Sequence, residues 1–163
     1  MLTDREEIEK WLKSYNITGY YIHPNGVVDV DNSVDLNECR CDSLLVHFGS
    51  INGSFYFQND SSVLSFEGFP HIVRGHIICH TSRIRSMSGL YKVIKLIRGG
   101  IVCHKETTHI LGLLTIPGLI SLDVDSDNGD SINRIMNKYI GTGDILSAQD
   151  ELIDAGFIDQ ARL

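Results

Sequence analysis

Three stretches of this chain read alike: Asn52-Gly53-Ser54-Phe55-Tyr56-Phe57-Gln58, Arg74-Gly75-His76-Ile77-Ile78-Cys79-His80 and Arg98-Gly99-Gly100-Ile101-Val102-Cys103-His104. Each has a glycine near its start, an apolar run, and a polar side chain at its end. Phe57, Cys79 and Cys103 are equivalent, with spacings of 22 and 24 residues, inside the roughly 20–29-residue range of leucine-rich repeats. A unit this short cannot bury its apolar face alone, so copies must stack and equivalent strands must pair in parallel. Second elements follow at 63–70, 84–91 and, more loosely, 110–117. Leu119 to Val124 reads as the strand of a last, decaying repeat.

A stack exposes apolar surface at both ends and therefore needs caps. Leu2 to Tyr15 reads as an amphipathic helix with Thr3 as its cap and Glu6 as the capping-box partner, placing Ile8, Trp11, Leu12 and Tyr15 on one face. Ile17 to His23 and Val27 to Asp31 read as strands joined by the turn Pro24-Asn25-Gly26. Val34-Asp35-Leu36 then repeats the apolar-Asp-apolar pattern. At the far end, a helix starting at Asp130 or Ser131 carries Ile132, Ile135, Met136 and Tyr139. A second, from Asp144 to Asp154, carries Ile145, Leu146, Leu152 and Ile153. The expected architecture is α+β: a short leucine-rich-repeat-like β-solenoid with largely parallel strands, capped by an N-terminal helix and C-terminal helices. Residues 1–163 are read as a single domain, with an N-terminal helical cap at 1–16, the repeat array at 17–124 and a C-terminal helical cap at 130–163.

Charge narrows the partners. A formal net charge of -7 argues against nucleic acid, whose affinity for proteins comes largely from Lys and Arg neutralising phosphates. It leaves a basic protein partner open, since acidic surfaces steer such encounters, beside the plainer reading of an acidic solvated surface with no special target. The longest apolar stretch, Ile110 to Leu122, is too short to span a bilayer and is interrupted by Gly112, Pro117 and Gly118. The charged start of the chain is unlike a signal peptide. Cys39, Cys41, Cys79 and Cys103 are accordingly expected as free thiols in a cytoplasmic protein.

The unit Gly-x-Phe-x-Cys-x-x-Asn-x-Leu-x-Ser-Leu-x-Gly-x-Pro, which runs here from Gly53 to Pro70, Gly75 to Tyr91 and Gly99 to Pro117, resembles the repeat of uncharacterised leucine-rich-repeat-like proteins of large tailed bacteriophages. The segment Tyr20 to Asp31 is similar to the opening of those proteins, and Ile132 to Tyr139 with Gln149 to Phe157 to their tail. The resemblance covers nearly the whole chain. It implies an architecture, a phage origin and an infected bacterium as the setting, but no activity. Phe57 departs from it at a Cys position, Thr81-Ser82 and Glu106-Thr107 at the Asn step, and Tyr91 at the Pro.

Cys79-His80 and Cys103-His104, with Cys39 and Cys41, hold the residue types that bind zinc, but not the close C-x2-4-C knuckle. In a strand, neighbours point to opposite faces, so adjacent Cys and His do not converge on one ion. The same geometry separates a cysteine nucleophile from a histidine base. Asp123, Asp125, Asp127 and Asp130 imitate a calcium loop, but Asn128 and Arg134 stand where an EF-hand needs Gly and Glu. No Walker loop or G-x-S-x-G elbow occurs. No metal, cofactor or catalytic residue is expected, and the chain is read as a non-enzyme.

The function expected is binding. An array of this kind exposes an extended sheet face, whose outward positions would include Tyr56, Gln58, His76, His80, His104 and Lys105. The expected partner is a host protein that the chain targets and inhibits: a protease, a nuclease, a polymerase subunit or a defence factor. A homo-oligomer remains open. The alternatives are a protein that sequesters a nucleotide signal and a metal-dependent hydrolase.

Overall fold

The computed structural model describes residues 1–39, 42–57, 65–79, 84–104, 106–125 and 129–163. The first helix, α1 (Arg5–Ser14), begins where Asp4 Oδ1 accepts the backbone N–H groups of Glu6 and Glu7, both at 3.0 Å. Asp4 is therefore the cap in place of the expected Thr3. A carboxylate satisfies two orphan donors and also suits the positive end of the helix. Ile8, Trp11 and Leu12 are buried on one face, as their spacing predicts. Trp11 packs on Phe48 with ring centroids 6.3 Å apart.

Strands β1 (Tyr20–Ile22) and β2 (Val27–Val30) form the expected antiparallel hairpin. Its turn places Gly26 at φ +82, a conformation that side-chain-bearing residues avoid. From β2 onward every strand pairing among the described residues is parallel. The chain winds in coils, the first four each laying one strand into each of two sheets. The first sheet continues through β4 (His47–Ile51), β6 (Ile72–Val73) and β8 (Leu96–Ile97), in the order β1-β2-β4-β6-β8. The second is built from β3 (Val34–Asp35), β5 (Phe55–Tyr56), β7 (Ile77–Ile78), β9 (Gly100–His104) and β10 (Ser121–Asp125), in the order β10-β9-β7-β5-β3. The fold is thus a β-solenoid of mostly parallel strands with helices at both ends. The repeat reading anticipated the second sheet and left out β4, β6 and β8 of the first.

Alternation along the second sheet sorts its residues. Val34, Phe55, Ile77, Ile101 and Leu122 lie in one register row and are buried. One pleat further, Phe57, Cys79, Cys103 and Val124 form another buried row, with Phe57 N–H donating to Ile78 O and Cys79 N–H to Val102 O. The equivalence drawn from spacing holds. Where Phe57 stands at the position of the later cysteines, Phe55 and Phe69 surround it at 5.4 and 5.0 Å. Cys79 Sγ donates to Val102 O at 3.1 Å. Its hydrogen bond to Cys103, together with burial, pushes the Cys103 thiol well above its ordinary range. Both cysteines are free, whereas Cys39 is disulfide-bonded, contrary to the expectation for it.

The corner between the sheets is stitched by side chains. Ser33 Oγ accepts the N–H of Ser54, Ser54 Oγ that of His76, and His76 Nδ1 that of Gly100, at 3.0, 3.0 and 2.9 Å. The glycines beside these rungs let the coils approach closely. A Cβ on Gly99 would stand 2.3 Å from Gly75 O.

Beyond the single helical turn α2 (Leu90–Val93), α3 (Gly129–Tyr139) and α4 (Ile145–Asp154) close the stack at the far end. Ile132, Ile135, Met136, Ala148 and Leu152 are buried, and Phe157 packs against the same core. Leu146 and Ile153, counted with the apolar set of α4, face solvent. Lys138 and Tyr139 of α3 both donate to Glu151 of α4, at 2.6 and 2.9 Å. The tail folds back, so that His109 and Ile110 donate to Asp159 O and Gln160 O. No described helix is long and apolar enough to cross a membrane.

Candidate functional site

The two sheets turn their uncovered faces away from the core, and both faces carry ordered rows. On the second sheet the outward row opposite the buried ones is Asp35, Tyr56, Ile78, Val102 and Asp123. Tyr56, Ile78 and Val102 are half-buried while their inward neighbours are fully buried. Three adjacent strands therefore present an apolar centre with a carboxylate at each end.

The residues expected on this face do not all lie in that row. Tyr56 lies in the apolar row. His104 is half-buried at the end of β9, one outward row away, and its Nδ1 accepts the N–H of Glu106 at 3.0 Å. His76 is exposed but stands at the corner, where its Nδ1 is engaged by Gly100. A backbone N–H can only donate, so neutral His76 carries its proton on Nε2. Its ring therefore continues the Ser33–Ser54 ladder as well as facing solvent. Gln58, His80 and Lys105 lie outside the described residues.

On the first sheet the outer face holds groups that the sequence reading did not single out. His23 Nε2 lies 2.8 Å from Asp29 Oδ2, and the Tyr21 and His23 rings stand nearly perpendicular with centroids 4.8 Å apart. Asp29 Oδ1 accepts the N–H of Ser50 at 2.7 Å. Burial raises the Asp29 carboxyl, but the hydrogen bonds from His23 and Ser50 outweigh it and hold the pKa below its ordinary value. One strand further, His47 Nε2 and His71 Nε2 stand 3.1 Å apart, their rings at 85°. Burial, followed by the neighbouring His47 and Lys95, lowers the His71 pKa from its ordinary value.

The signal for this second pair was present in the sequence. His47 and His71 are 24 residues apart, the same interval as Cys79 and Cys103. Asp29 and His23 gave no such signal, because they meet across a hairpin turn and not across coils.

Among the described residues no group of three or more His, Cys, Asp or Glu side chains is placed to hold a metal ion. A cleft lies between the end of α1 and the first coil, lined by Tyr15, Asn16, Ser33, Asp35 and Glu38 among others. Its charged lining residues are both acidic, and Asp35 joins it to the end of the apolar row. No family model, curated protein or solved structure matches the chain.

Proposed function

We propose that this protein is a binding module that holds another protein against the outer face of its second sheet. The observation that supports this reading is the row Asp35–Tyr56–Ile78–Val102–Asp123. An apolar centre with polar ends has the layout of an interface core and its rim. Tyr56 is its natural anchor, because binding energy concentrates in a few aromatic or Arg side chains. The net charge of -7 favours a partner whose contact surface is apolar at its centre and basic at its edges, since such charges steer encounter. With the resemblance to phage repeat proteins, this reading makes the partner a host protein, which binding would inhibit.

Affinity capture from bacterial lysate tests it, using the wild type beside a Tyr56→Ala, Val102→Glu double variant and a Tyr21→Ala variant on the opposite sheet. The expected result is a discrete protein retained by the wild type and by Tyr21→Ala and lost from the double variant, with circular dichroism confirming the fold of each. Equal capture by all three would remove this face from consideration. Retention of nothing but the chain itself would favour self-association.

A further inference from the structure

We propose that His47 and His71 form a binding site for a late divalent transition-metal ion, of the class of Zn²⁺, Ni²⁺ and Cu²⁺, on the outer face of the first sheet. The two Nε2 atoms are 3.1 Å apart and the ring centroids only 4.8 Å. Imidazoles meeting head-on would hold their centroids farther apart, because each centroid stands a full ring radius behind its nitrogen. At least one ring axis is therefore bent away from the line joining the nitrogens, an arrangement compatible with both lone pairs reaching one ion beside that line. Ligand bonds of about 2.0–2.1 Å set two nitrogens about 3.3 Å apart at a tetrahedral angle and about 2.9 Å apart at a right angle. The observed separation falls between these, so the spacing of the two nitrogens suits an ion in place of the shared hydrogen bond.

The pair is also held in place. His47 opens β4, and His71 immediately precedes β6, donating its N–H to Gly49 O at 2.9 Å. Ser50 and Ile72 pair in register one residue further on. A site on paired strands is more precise than one on loops. Imidazole suits these metals in particular. Two protein ligands leave the remaining coordination positions to water or to a donor from another molecule. Lys95 opposes the ion: its N–H bonds to His71 O at 2.7 Å, which brings a positive side chain to the neighbourhood.

The test is titration of the untagged full chain with Zn²⁺ and Ni²⁺ by calorimetry, and with Cu²⁺ by following amide signals in NMR spectra. The expected result is one ion per chain, with paramagnetic broadening by Cu²⁺ that starts at His47, His71 and Gly49. His47→Gln and His71→Gln should each weaken binding by ~10-fold or more, since loss of even an outer-shell partner costs 10–100-fold. His109→Gln should leave binding unchanged, and Lys95→Gln should tighten it. Absence of saturable binding, unchanged binding in the His47→Gln or His71→Gln variant, or broadening centred on another histidine would overturn the proposal. If either variant fails to fold, the broadening map of the wild type decides alone.

Discussion

The side-chain amide of Asn137 takes both main-chain groups of Leu122: Leu122 N–H donates to Asn137 Oδ1 and Asn137 Nδ2 donates to Leu122 O, each at 2.8 Å. Leu122 lies in β10, the last strand of its sheet, and one turn earlier on α3 Asn133 Oδ1 accepts Val124 N–H at 2.7 Å. Two asparagines at i and i+4 thus occupy the edge that another strand would pair with. An open edge is a template for association between chains.

Asn133→Ala together with Asn137→Ala should therefore do two things. Leaving part-buried backbone groups unpaired should cost about 1–3 kcal/mol per site, read from urea unfolding. The uncovered edge should also promote self-association, read as concentration-dependent mass by sedimentation. A monomeric double variant of wild-type stability would show that α3 covers the edge without protecting it.

Gly99→Ala probes the contact between coils. The added methyl would meet Gly75 O at 2.3 Å, a backbone atom that cannot turn aside. Overpacking of this kind costs about 1–3 kcal/mol or more. The thermal midpoint should fall accordingly, and an unchanged midpoint would mean that the coils can part at this corner.

Trp11→Ala removes the largest side chain of the first cap. Trp11 is only 9 % exposed and its ring packs on Phe48, so the truncation should cost about 3–5 kcal/mol. Melting at the wild-type temperature would contradict the role of α1 as a cap.

Asp29→Asn tests the carboxylate between His23 and Ser50. The folded pKa of Asp29 lies below its ordinary 3.8, so the stabilisation is fully present above that value. As pH falls through 3.8 toward the lower folded value, the unfolded chain takes up the proton first and the stabilisation is lost. At neutral pH the variant should be less stable by about 1.5–3 kcal/mol at most, the range for hydrogen bonds to charged groups. The difference should shrink below pH 3.8 in parallel thermal melts. A difference independent of pH would assign the effect to packing.

Salt should expose the electrostatic part of the proposed binding. If Asp35 and Asp123 steer the partner, raising ionic strength should slow association far more than it speeds dissociation. Surface plasmon resonance with the captured protein separates the two rates, and an association rate insensitive to salt would leave the carboxylates without that role.

The sequence by itself determined the stacking. Phe57, Cys79 and Cys103 could be aligned because a strand alternates with a period of two and a coil returns at a nearly fixed interval, and both rhythms are visible in the order of residues. The caps were legible for the same reason, since Trp11 and Leu12, or Ile135 and Met136, fall on one side of a 3.6-residue period. Ile72–Val73 and Leu96–Ile97 are too short to show any alternation, so these strands of the first sheet could not be read in advance. Only the tertiary structure decided which side chains meet across coils and turns. His47 with His71, Asp29 with His23 and Asn137 with Leu122 are contacts set by the pitch of the winding and the docking of α3. The pitch depends on how closely glycines such as Gly75 and Gly99 let neighbouring backbones approach, a distance that no residue spacing specifies.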